Sequence, residues 1–310
     1  HLMDGNLETV GIMRDLEEQA NLKLRILLHH FVYPYTPIEE VEAMMQTHNQ
    51  KGLRWQADGV KFMLDGVIDT GTAWLEHPDS QGAGTEPMWP ELSLYHQRAR
   101  QFHDAGFRIA THAIGDRAVR EVLDVYEGLP GGSNGRHRIE HIETSPDNTI
   151  ARFKPLKVTA SMQPVHVRWI EYDLSDPWSQ RLDTTQCNHA WRSGDIMSTG
   201  ALVVLGSDWP VAPFDPRMGM FAAQMRRAHD VSYEGQIGTT RALTGAETLT
   251  GYTRNAAIAV GADNERGMLA PGMKADLVMW QEDPSKVNPN DVIDLPVLRT
   301  VVGGETVFQV

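Results

Sequence analysis

Four residues stand where chemistry would be done: Lys61, His112, His141 and Asp208, each at or near the end of a stretch that reads as a buried strand. The clearest stretch is Val203-Val204-Leu205-Gly206-Ser207-Asp208-Trp209-Pro210, where an aliphatic run gives way to a small residue, a hydroxyl and an acid before proline stops the strand. Buried parallel strands read as such apolar runs. In a β/α barrel the reactive side chains sit at the carboxyl ends of the strands. An acid in that position either serves the barrel mouth or caps a turn. Lys61 is the least comfortable of the four, because it interrupts the apolar run Val60-Lys61-Phe62-Met63-Leu64. Burying an ammonium without compensation costs several kcal/mol. Either its stem reaches solvent, or the amine is carboxylated to an anionic carbamate able to bridge two cations. A lone strand histidine is more often a hydrogen-bonded core or surface residue than a ligand. Even so, thirteen histidines beside the single Cys187 favour nitrogen and oxygen ligands over thiolates.

The elements needed to hold these side chains in one place alternate along the chain. Residues 8–21 carry Val10, Ile12, Met13 and Leu16 among charges, an amphipathic helical pattern, and Leu24 to Leu28 reads as a strand. Thr36, Pro37, Glu39 and Glu40 form a helix start, with Thr36 as cap and Pro37 at the first helical position. Val60 to Leu64 is the next strand. Residues 70–90, rich in Gly, Pro and Thr, read as a loop over the mouth, too polar for the core. A helix over 91–105 precedes a strand ending at His112, and Asp116 caps a helix running to about Tyr126. His137 to Ile142 and Lys157 to Met162 are strands, 165–190 is a long aperiodic loop, and a helix over about 215–229 follows Asp208. Repeated βα units imply a parallel sheet with helices outside it. Six strands fall between residues 24 and 208 and a seventh is expected before Glu8, whereas eight close a barrel. The expected fold is therefore α/β: a (β/α)8 TIM-type barrel, N-terminally truncated, over residues 1–265. Residues 266–310 add a small β-sandwich remnant, Ala275 to Trp280 and Arg299 to Phe308, the latter turning at Gly303-Gly304.

Bulk properties narrow the partners. A net charge of -13 argues against nucleic acid and anionic membrane surfaces. One cysteine excludes an internal disulfide and fits a reducing compartment. No apolar run approaches the roughly 20 residues of a membrane span, and no basic and apolar leader opens the chain. The expectation is a cytoplasmic chain acting on a small molecule, with a homodimer left open.

Taken together, the Lys, His, His, Asp order on successive strands resembles the amidohydrolase superfamily, and within it the amidohydrolase-3 family of N-substituted formamide deformylase-like hydrolases. The stretches that carry the likeness are Val60 to Gly66 with Thr72-Ala73, Thr111-His112-Ala113-Ile114-Gly115-Asp116, Arg138-Ile139-Glu140-His141, Ala160-Ser161-Met162-Gln163-Pro164, and Gly206 to Val211. The run Pro271-Gly272-Met273-Lys274-Ala275-Asp276-Leu277-Val278 resembles the return into the family's β-sandwich. The resemblance implies a carboxylated Lys61 bridging two metals, His112 and His141 as imidazole ligands of the second, and Asp208 as ligand and general base. It implies Zn2+ or another divalent metal, one or two ions per chain in the family, activating water. That water would hydrolyse a C–N bond in an amide-type, non-peptide or formamide-type small molecule. Glu140 would support the site from behind, or else be a solvated or paired strand acid.

One departure bears on activity. The family's first barrel strand carries His-x-His, and no two histidines here are two residues apart. The expectation is a chain that begins near the second barrel strand, holds at most one metal and turns over slowly. The competing expectation is a catalytically inactive fragment or degenerate barrel with partial metal affinity. A sugar- or phosphate-handling barrel is weaker, since no glycine-rich phosphate loop precedes a late helix. Trp74, Trp89, Trp169 and Trp209 fall in mouth loops, either lining an apolar pocket or packing as lids.

Overall fold

A computed structural model describes residues 1–310. Seven strands form one parallel sheet in chain order: β1 (Leu2–Gly5), β2 (Ile26–Val32), β3 (Trp55–Met63), β4 (Arg108–Ala113), β5 (Arg138–His141), β6 (Thr159–Met162) and β7 (Val203–Leu205). Every neighbouring pair is parallel. Strands in sequence order, each followed by helical or coiled chain, make the βα progression of a TIM-type α/β fold. The strand expected before Glu8 is β1, and no ladder joins it to β7.

The sheet holds its order because the outer faces of its strands pack under helices α1 (Leu7–Glu18), α2 (Ile38–Met45), α3 (Leu92–Asp104) and α4 (Asp116–Gly128). Asn6 starts α1 with a capping box, its side chain accepting from Thr9 N. Phe62, from the outer face of β3, meets Tyr95 and Phe102 of α3 edge-to-face, with ring centroids 5.5 and 6.0 Å apart. Such pairs add about 0.5–1.5 kcal/mol to simple burial. Beside them a buried hydroxyl chain runs from Tyr95 Oη through Thr111 Oγ1 to Tyr126 Oη, which donates to Arg138 O.

A separate antiparallel sheet of β8 (Leu277–Trp280), β9 (Val297–Val302) and β10 (Glu305–Gln309) follows, and Gly303 and Gly304 take positive φ at its hairpin. It is tied to the first sheet by ion pairs from Arg25 to Asp276 and from Arg54 to Glu305. No helix is long and apolar enough to cross a membrane.

Several expected elements differ in extent, each for a physical reason. β3 begins at Trp55, five residues before the apolar run at Val60, because its polar Asp58 is satisfied inside the ladder by Arg108 and His48. Helix α2 begins at Ile38 with Pro37 as its cap, while the Thr36 hydroxyl accepts from Tyr33 N instead of capping the helix. Residues 70–90 form a loop, as expected, but not an entirely polar one. Ala73, Trp74, Leu75 and Trp89 are buried, with Trp89 Nε1 donating to Met63 O. The aperiodic 165–190 stretch contains a 3-10 turn, Pro164–Trp169, and short helices Pro177–Arg181 and Thr184–Asn188. Their Asp176 and Asp183 caps are the local signal. Helices Gly245–Tyr252 and Arg254–Ala259 fall where the sequence suggested none.

Phe102→Ala is expected to cost about 3–5 kcal/mol, read as a lower urea midpoint with little change in slope. Leu53→Ala, at a side chain 86% exposed, is expected to stay within about 0.5 kcal/mol of the parent. Similar losses in the two would show that the Phe62–Tyr95–Phe102 cluster is not core.

Candidate active site

The carboxyl ends of β3, β4 and β5 bring the candidate residues to one edge of the sheet. Lys61 sits opposite Ala110, and two residues further along Met63 lies opposite His112. His112 in turn faces Glu140, and Ala113 faces His141. The ladder thus places His112 and His141 at the ends of adjacent strands, one residue short of the end of β4 and on the last residue of β5. Their rings meet edge-to-face with centroids 4.4 Å apart.

His112 is fixed by its surroundings. Its Nε2 donates to Gly66 O at 2.9 Å and lies 3.5 Å from Asp65 Oδ1, which leaves Nδ1 as the lone-pair nitrogen. Burial, and after it the Lys61 charge, lowers its pKa to about 3. His141 is depressed as well, first by burial and then by the charges of His112 and Lys61. Both rings are neutral near pH 7, the form in which imidazole binds metal. His141 Nδ1 is buried with no partner. The strand ends there in two successive left-handed residues, His141 at φ 78° and Ile142 at φ 55°. Backbone in that region is costly for side chains such as these and collects at functional sites.

Lys61 is 6% exposed, with no hydrogen bond or ion pair to its ammonium. Burial lowers its pKa, and the carboxylates of Glu140 and Asp208 pull the other way. Asp208 lies three residues beyond β7, half-buried and left-handed at φ 59°. Burial raises its pKa, against the opposing fields of His166 and Lys61. The structure therefore packs two of the four residues together. It links Lys61 and Asp208 to them through charge rather than contact.

Glu140 resolves as the paired strand acid, with Arg138 Nε 2.6 Å from its Oε1 and both side chains buried. Of the four mouth tryptophans, only Trp169 and Trp209 are exposed; Trp89 is core, and Trp74 lies beneath the Arg117 guanidinium.

Sequence reasoning missed three groups here. Asp65, fully buried, accepts backbone N–H bonds from Trp74, Ile114 and Gly115 and so joins the loop after β3 to the turn after β4. Burial outweighs those bonds and raises its pKa to about 7. Glu143 accepts from Trp178 Nε1, and His166 stacks over His141 at 6.0 Å. The acid closing the Val60–Leu64 run pointed to Asp65. His166 lies two residues past Gln163-Pro164 and carried no pattern of its own.

Two neutral imidazoles, one with an orphaned buried nitrogen, beside a buried lysine and a half-buried acid, suit a divalent cation in donor type. No three His, Cys, Asp or Glu side chains converge on one point.

The model of the amidohydrolase family matches residues 2–308. Among curated relatives, amidohydrolase YtcJ of Bacillus subtilis is 27% identical over 292 residues, 93% of this chain and 52% of its own length. N-substituted formamide deformylase of Arthrobacter pascens is 27% identical over 215 residues, 68% of this chain and 38% of its own. The chain thus spans about half, or less, of these proteins. An uncharacterized metal-dependent hydrolase from Pyrococcus horikoshii superposes with a TM-score of 0.76 at 28% identity, covering 93% of this chain and 56% of that one.

Asp65→Ala strands three buried N–H groups at roughly 1–3 kcal/mol each. The expected result is at least about 3 kcal/mol of lost stability, with faster hydrogen exchange at Trp74, Ile114 and Gly115. Unchanged exchange at those amides would remove Asp65 from its place as the anchor of the mouth.

Proposed function

The chain belongs to the amidohydrolase family, and from that membership we propose that it carries part of a metal-dependent hydrolase of C–N bonds in small amide- or formamide-type molecules. The observation that carries this is the pair His112 and His141, neutral, packed ring to ring at adjacent strand ends, with a buried Nδ1 on His141 that has no partner in the protein.

In this reading His112 and His141 would hold a divalent ion, and the His112 nitrogen free to do so is Nδ1, since its Nε2 is committed to Gly66 O. Lys61 would complete the set as a carbamate, which replaces a buried ammonium that makes no hydrogen bond with an anionic ligand. When bound, the ion supplies Lewis acidity and brings the pKa of water to about 7. Asp208 accepts the proton that water gives up as it attacks the carbonyl carbon. Its elevated pKa suits that task, since a general base works best near the ambient pH. The buried Arg138–Glu140 pair acts on Lys61 with opposite signs, the carboxylate favouring its charge and the guanidinium opposing it.

Two observations favour a second reading, a chain that folds and binds a metal weakly but turns over little. No His-x-His pair occurs in the sequence, and no three histidine or carboxylate donors converge. On either reading the purified chain is expected to hold at most one zinc ion by elemental analysis, and His112→Ala or His141→Ala is expected to weaken zinc at least about tenfold. Hydrolysis of an N-substituted formamide that depends on added zinc and is lost in Asp208→Asn separates the two readings in favour of the first. Two tightly held ions, or zinc binding indifferent to both histidines, would contradict the assignment.

A further inference from the structure

A third imidazole stands beside the proposed metal ligands. His166 lies in the 3-10 turn Pro164–Trp169 after β6 and is 3% exposed. Its ring runs nearly parallel to that of His141, at 17° and 6.0 Å, and Trp169 leans on it at 4.8 Å. Nδ1 faces Glu143 Oε1 at 3.9 Å, too far for a hydrogen bond but near enough to decide which nitrogen carries the proton. Glu143 is itself anchored, since its other oxygen accepts from Trp178 Nε1 at 2.9 Å and its backbone carbonyl accepts from Trp191 N at 2.9 Å. With Nδ1–H turned toward that carboxylate, the other nitrogen, Nε2, is left as a hydrogen-bond acceptor. Nε2 is buried and has no partner.

A buried polar nitrogen without a partner costs roughly 1–3 kcal/mol, and in a native fold it calls for an explanation. His166 lies close to Asp208 at the same mouth. An N–H or O–H donor arriving at that mouth would satisfy Nε2. We propose that His166 reads the amide N–H of the substrate, so that the site takes secondary amides and rejects N,N-disubstituted ones. A second N-alkyl group would put a methyl against the buried acceptor and leave it unpaired. The single N-substituent then lies toward Trp169, an aromatic face 43% exposed. This inference rests on the amide-hydrolase reading and adds its selectivity.

The test is calorimetric binding of N-benzylformamide and N-benzyl-N-methylformamide to the full chain in the presence of zinc, with zinc affinity measured in parallel. The parent is expected to bind the secondary amide about ten- to a hundredfold more tightly, the range expected from stranding one buried acceptor. His166→Phe, which removes the acceptor, is expected to bring that ratio close to one at unchanged zinc affinity. His166→Gln, which restores an acceptor in a polar side chain, is expected to keep part of the preference and covers the case in which the phenylalanine variant does not fold. A preference undiminished in both variants overturns the proposal. So does a loss of zinc as severe as that of His112→Ala, which would make His166 a metal ligand. Binding of both amides by the parent without preference defeats the selectivity alone, whereas binding of neither defeats the amide reading with it.

Discussion

The carboxylate of Asp65 holds the mouth of the sheet together. Two residues past β3, it has no exposed surface and accepts three backbone N–H bonds, one from the loop at Trp74 and two from the turn at Ile114 and Gly115. Those bonds leave the turn little freedom, and a Cβ on Gly115 would stand 2.1 Å from Trp74 O. The same carboxylate lies 3.5 Å from His112 Nε2 while Gly66 O takes the hydrogen bond. The orientation of the first imidazole is thus fixed by chain that has no chemistry of its own. The second imidazole inherits its position from the first through ring packing, and the third stacks on the second.

Around that frame the charges are arranged at some cost. Lys61, His112 and His141 are all driven toward their neutral forms by burial, and Asp208 is driven toward protonation. Such a group of polar side chains stabilises nothing by itself. Apolar packing elsewhere offsets it, chiefly the aromatic cluster of Phe62, Trp89, Tyr95 and Phe102 on the opposite face of β3 and β4. The alternation of a strand makes the division possible: Phe62 faces the helices, and Lys61 beside it faces the interior.

Lys61, His112, His141 and Asp208 stand out as candidates because each lies at or near the end of a stretch that reads as a buried strand, where a charge or an imidazole demands a reason. The order of parallel strands was legible from repeated βα spacing, and even β1 was expected from four residues. Extents were less legible. β3 starts five residues early because Asp58 finds Arg108 fifty positions away, and Trp74 and Trp89 are core because loop backbone folds over them. Periodicity registers neighbours along the chain; it carries no record of partners across it.

What only the tertiary structure decided is how the site residues meet. Two histidines 29 residues apart could both be surface groups, and only the fold, which lays two strands side by side and ends the second in a left-handed His141, puts their rings in contact. Glu140 could have faced solvent or a metal ligand, and Arg138 claims it because side chains two apart on a strand share a face. His166 looked like any residue of an irregular loop until the turn after β6 laid it over His141 and opposite Glu143. Residue types and strand ends are written locally in the chain. Which nitrogen is left without a partner depends on every group around it, and folding alone brings those groups within reach.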